Sequence, residues 1–113
     1  MTARHASAAR AGVVAVALAA VSVHAFGQDA AAGRVKAQAC AVCHGAEGLA
    51  TAPDAPHLAG QPALYLAAQL RAYRSGERKH AVMNVMAKPL SDADIANLAA
   101  WFSSIRIEVK PPS

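Results

Sequence analysis

Large aromatic side chains are scarce, with Phe, Trp and Tyr making up 4% of the 113 residues. Phe26, Tyr65, Tyr73, Trp101 and Phe102 are all there are. A chain of this length forms one domain at most, and so small a domain buries too little surface for its side chains alone to hold it firmly. Its core is starved unless something bulky and apolar fills it. Cysteine is nearly absent as well. Cys40 and Cys43 would close too small a loop for a disulfide to stabilise much. Strand-period alternation and internal repeats are missing, which points to an all-α fold.

Nor is there an apolar run of the ~20 residues that span a bilayer. The nearest approach is the uncharged, Ala- and Val-rich stretch Ala11 to Val23. Arg4, His5 and Arg10 precede it, and small residues follow at Val23-His24-Ala25 and Ala25-Phe26-Gly27. Basic, apolar, small is the order of a secretory signal peptide. Residues 1–27 are therefore expected to be removed, with cleavage after Ala25 or Gly27, leaving 28–113 as one exported domain without a membrane span. Removal takes Arg4 and Arg10 and no acid, so the formal charge falls from +4 to +2. A basic pI then lends little support to nucleic-acid binding.

Within 28–113 the pattern predicts three or four short helices and two long loops. Asp29 can cap a helix over Ala30 to Ala39, in which Gly33 is costly by about 1 kcal/mol and implies a close approach by another element. Gly45 to Gln61 holds Gly45, Gly48, Pro53, Pro56 and Gly60 with no usable period. A loop that long in so small a domain suggests that it wraps something. Pro62 suits the first turn of a helix ending at Ser75 before Gly76, with Leu66, Leu70 and Tyr73 as its stripe. Gly76 to Leu90 reads as a second irregular stretch. Ser91 and Asp94 then make a capping-box pair for a last helix that buries Ile95, Leu98, Ala99, Phe102 and Ile105. Lys110 to Ser113 reads as a frayed tail.

The chemistry lies in Cys40-Ala41-Val42-Cys43-His44. C-x-x-C-H is the attachment signature for c-type haem. Two thiols at that spacing reach the two vinyl groups on one porphyrin edge, and the next residue turns its imidazole to the iron. A thioredoxin-like redox pair would need a βαβ context, which is missing. Tetrahedral zinc would need four ligands, and Cys40, Cys43 and His44 with His57 or His80 are spaced unlike a finger. The axial histidine needs a fixed acceptor for its other nitrogen, for which a carbonyl of the Pro-rich loop is suited. A sixth ligand for electron transfer would be Met or His. Met83, Met86, His57 and His80 are the candidates, and spacing does not choose among them, although methionine in an irregular loop before the last helix is suggestive.

Ala30 to Ile105 resembles the class I c-type cytochromes, specifically the small soluble bacterial group related to single halves of dihaem cytochromes. The likeness rests on Cys40 to Gly45, Pro56-His57-Leu58-Ala59-Gly60-Gln61, Tyr65-Leu66 with Gln69-Leu70, Ser75-Gly76-Glu77-Arg78, Leu90 to Ile95, and Leu98-Ala99-Ala100-Trp101-Phe102. The resemblance implies one haem c, held by thioethers at Cys40 and Cys43, with His44 as proximal iron ligand and the Pro56 carbonyl accepting its proton. It places the distal iron ligand at Met83 and makes Met86 a neighbour of the pocket. It also places Gly33 and Trp101 where the first and last helices cross.

The implied function is a periplasmic carrier of single electrons between redox proteins, membrane-bound or periplasmic. It would be a monomer or form transient complexes, and would not be an enzyme. A docked redox subunit of a larger dehydrogenase or oxidase shares the same domain. A haem sensor or peroxidase would need an open sixth position, against which Met83 stands. Arg71, Arg74, Arg78, Lys79 and Lys88 read either as a solvated helix face or as a basic rim that steers an acidic partner.

Overall fold

Asp29 starts the first helix by accepting the N–H groups of Ala31 and Ala32 at 2.9 and 3.0 Å, two of the donors that a helix start leaves open. The computed structural model describes residues 27–113; the expected signal segment, all but Gly27, lies outside the described residues. Among the described residues every regular element is helical: α1 (Ala30–Lys36), a 3-10 turn (Ala37–Cys40), α2 (Ala41–His44), α3 (Ala63–Ser75), α4 (Ala81–Ala87) and α5 (Asp92–Ser104). The helix expected over Ala30 to Ala39 is thus α1 and most of a tighter turn, which leads directly into α2. Counted as one run, it makes four helical units with α3, α4 and α5, in keeping with the expected all-α architecture.

Helix α5 is the spine. Its Ile95, Leu98, Ala99 and Phe102 are buried, and Leu98, Ala99 and Phe102 cluster with Ala37 and with Leu66 of α3. The expected Ile105 packs half-buried at the C-cap, just past the helix. Ser91 and Asp94 form the capping box, with each side chain taking the other's backbone N–H at 3.0 Å. Helix α1 crosses α5 at Gly33, where a Cβ would overlap the Asn97 carbonyl and lie 2.9 Å from Trp101 Cβ. This close approach is what the costly glycine permits. Asn97 Oδ1 also accepts the Asp29 N–H at 2.9 Å, tying the start of α1 to α5.

Pro62 stands at the N-cap of α3, one residue outside the helix, and Gly76 ends it with φ +83°. No helix among the described residues is long and apolar enough to cross a membrane.

One expectation fails. Gly76 to Leu90 is not irregular throughout, because Ala81–Ala87 is a helix that carries both methionines. Propensity gives it away poorly, since Val82, Asn84 and Val85 are indifferent helix formers and the element is only about two turns long. Its N-cap is also unusual: the His80 ring nitrogen Nδ1 accepts from Val82 and Met83 N–H at 3.3 and 3.2 Å. Ala87, with 0% of its surface exposed, anchors the other end. The argument from methionines in an irregular loop therefore falls.

Candidate functional site

The turn of helix from Ala41 to His44 follows Cys40 directly. Cys40 and Cys43 are therefore one turn apart and share a face, with His44 next in line. The two cysteines form no disulfide and are half-buried, and burial pushes the Cys40 thiol up from its ordinary range. His44 is 8% exposed, the one buried polar side chain among the described residues. Its Nδ1 lies 2.9 Å from the Pro56 carbonyl. A carbonyl only accepts, so Nδ1 carries the hydrogen, and in the neutral ring Nε2 then holds the lone pair.

The loop that delivers Pro56 is shaped by its own hydrogen bonds. The Cys43 carbonyl accepts from Thr51 and Ala52 N–H at 3.0 and 3.1 Å, and the Gly48 carbonyl from Leu58 and Ala59 at 2.7 and 3.1 Å. Thr51 Oγ1 donates to the Val42 carbonyl at 3.1 Å, and Ala50 N–H donates to His57 Nδ1 at 2.7 Å. The segment after the motif therefore folds back on the motif.

Cys40, Cys43, His44, Pro56, Met83 and Met86 all line one cleft of about 530 Å³. The two methionines sit on α4 at i and i+3, Met83 half-buried and Met86 39% exposed. His57 and His80, the other candidates for a sixth ligand, line the same cleft, but each already has one ring nitrogen accepting from backbone N–H groups. The basic residues divide. Arg74 pairs with Asp92 at 2.7 Å and donates to the Leu90 carbonyl at 2.9 Å, and it holds the Asp92 carboxyl below the usual range. Arg78 stacks 4.7 Å from the Tyr73 ring centroid and donates to Gln69 Oε1 at 2.7 Å on the cleft wall. Asn84, which ties α4 to its surroundings, carried no signal in the sequence pattern.

Leu66, Leu70, Leu98 and Phe102 make the cleft wall apolar, and its volume falls within the ~300–1,000 Å³ of sites for compact organic groups. Two thiols at one rim, an imidazole with a free lone pair and apolar walls fit a flat, apolar, iron-bearing ring. The family model for cytochrome c matches residues 30–106. This chain belongs to the cytochrome c family. The cytochrome carries one covalently bound haem c at the Cys40–Cys43–His44 motif, and electron transfer is the business of its family. It is similar to cytochrome c-554(548) of Halomonas halodenitrificans, 51% identical over 79 residues that cover 67% of this chain and 95% of that protein. Cytochrome c4 of Pseudomonas aeruginosa is 45% identical over 86 residues, 76% of this chain and 42% of that one. The structure of reduced cytochrome c4 from Pseudomonas stutzeri superposes with a TM-score of 0.67 at 40% identity, covering 71% of this chain and 47% of that chain. The cytochrome thus spans under half the length of these two c4 relatives.

Proposed function

We propose that this cytochrome is an exported, periplasmic carrier that takes single electrons from one redox protein to another and turns over no substrate. Cys40 and Cys43 hold the haem by thioethers, His44 is its proximal ligand, Met83 its distal ligand, and Met86 a neighbour in the pocket. The haem supplies a one-electron couple at iron, and the chain's residues set its surroundings. The observation that carries this reading is the His44–Pro56 hydrogen bond at 2.9 Å. It fixes the tautomer and the ring orientation, and it raises the basicity of the free nitrogen. A thioether on the other side favours the reduced state relative to a second histidine. Leu66, Leu70, Leu98 and Phe102 exclude water. Exposed Val82 and Tyr65, at 53% and 48% on the cleft rim, leave an apolar edge where a redox partner can approach.

A carrier needs no open coordination position, whereas a sensor or a peroxidase does. Adding carbon monoxide to the reduced protein near neutral pH should leave its spectrum nearly unchanged, while a small redox dye oxidises it fast and reversibly. Rapid stoichiometric binding would instead favour a sensor or peroxidase-like role.

A further inference from the structure

Helix α4 is seven residues long, too short to hold its shape unaided. Packing holds it weakly, with Val82 at the cleft rim and Val85 exposed by 53% and 70%. Besides the His80 cap and buried Ala87, what ties it to α3 and the connecting turn is one side chain. Asn84 Nδ2 donates to the Tyr73 carbonyl at 2.7 Å and to the Arg78 carbonyl at 2.8 Å, while its Oδ1 accepts the His80 N–H at 2.7 Å. The Tyr73 carbonyl, in the last turn of α3, also accepts the Gly76 N–H at 3.2 Å; Arg78 and His80 belong to the turn between the helices. The amide therefore joins the end of α3, the connecting turn and the start of α4.

Only a side chain with one acceptor and two donors at that length can do this. Aspartate keeps the shape but sets a charged oxygen against two carbonyls. Alanine takes away the side-chain partner of the Arg78 carbonyl and the His80 N–H and leaves the Tyr73 carbonyl only the Gly76 N–H, and serine is too short to span all three. Asparagine is moreover a poor residue for a helix interior. A local rule broken in this way marks a position kept for another purpose.

We infer that Asn84 is the positioning residue for the distal sulfur: its amide clamp holds α4, and with it Met83 one residue earlier, against the cleft. The inference rests on the reading of Met83 as distal ligand. A mutation that loosens the clamp releases the sulfur before the rest of the protein unfolds.

The test uses purified haem-loaded protein and follows two signals during heating. One is the weak far-red band of ferric iron bound to a thioether; the other is helical circular dichroism. Asn84→Ser, Asn84→Ala and Asn84→Asp are compared with Ser91→Ala, which removes the α5 cap and leaves α4 alone. The Asn84 variants should lose the band at temperatures where the helices persist, in the order serine, alanine, aspartate. Their reduced forms should bind carbon monoxide at least tenfold faster than wild type. In Ser91→Ala the two signals should fall together. Coincident loss in the Asn84 variants, with carbon monoxide binding unchanged, overturns the inference. So does failure of all three to assemble holoprotein while Ser91→Ala assembles, since Asn84 is then purely structural. Met83→Ala separates the two readings. A band that survives it overturns the ligand assignment and the clamp together. A band lost in Met83→Ala but tracking unfolding in the Asn84 variants overturns the clamp alone.

Discussion

The two sides of the cleft are built in opposite ways. On the His44 side there is almost no helix, yet nothing is loose: a glycine- and proline-bearing loop hydrogen-bonds repeatedly to the motif it follows and ends by presenting a carbonyl to a buried imidazole. On the methionine side there is a regular helix, but its valines are exposed and its start is fastened by a single amide and a histidine cap. Regular secondary structure is thus no guide to how many bonds fasten each side here. The proposed proximal ligand sits beside the cysteines in the chain and needs little else to place it. The proposed distal ligand comes from a separate element and depends on distant contacts. The distal side should therefore be the first to yield.

The largest effect comes from removing what both sides share. Replacing Cys40 and Cys43 together with Ser should abolish covalent haem and leave a chain without a cooperative thermal transition, because the core loses its bulkiest apolar component. Haem that survives acid-acetone extraction of the wild type but not of this variant would confirm the thioethers; haem that washes out of the wild type would refute them.

Next comes the distal side. Met83→Ala should remove the far-red band and lower the potential by ~0.1 V or more, within the ~0.8 V span that axial ligands command. Met86→Ala should do neither, and the reverse pattern would transfer the role to Met86. On the proximal side, Pro56→Ala keeps the carbonyl that His44 uses and frees only the backbone of the unfolded chain. A loss of about 0.4–1 kcal/mol in denaturant unfolding is expected, with the band intact. A lost band there would break the contrast, since it would make the loop as fragile as α4.

The smallest effect belongs to neither side. Arg74 holds the Asp92 carboxyl low, and the Ser91 N–H does the same for Asp94. Each depressed value adds stability above the unfolded carboxyl range near pH ~3.9, which is lost as pH falls through that range toward the folded value. Thermal midpoints should drop slightly below pH ~4, and Asp92→Asn with Asp94→Asn should flatten that slope.

The comparison also explains what the sequence could tell. The motif, the Asp29 and Ser91 caps, the α5 stripe and the Gly33 crossing were legible because each is local, or because it breaks a propensity conspicuously. Helix α4 was not. Its cap is a histidine, its valines are exposed, and its fastening runs through Asn84 to carbonyls 11 and 6 residues away, which no short-range period records. The division of the basic residues was equally hidden, because the pairing of Arg74 with Asp92 spans 18 positions.

The crossing of α1 and α5 at Gly33 also bears on the order of events in folding. It joins the first and last helices of the described residues, and the bond from Asp29 to Asn97 closes a separation of 68 positions. Closing so long a loop costs entropy before any contact repays it, and topologies rich in such contacts fold slowly. Until α5 arrives, α1 has nothing to dock against and the cleft lacks the wall that Leu98 and Phe102 provide. The cysteine motif therefore stays accessible for as long as the last helix is missing, and the arrival of that helix acts as the latch.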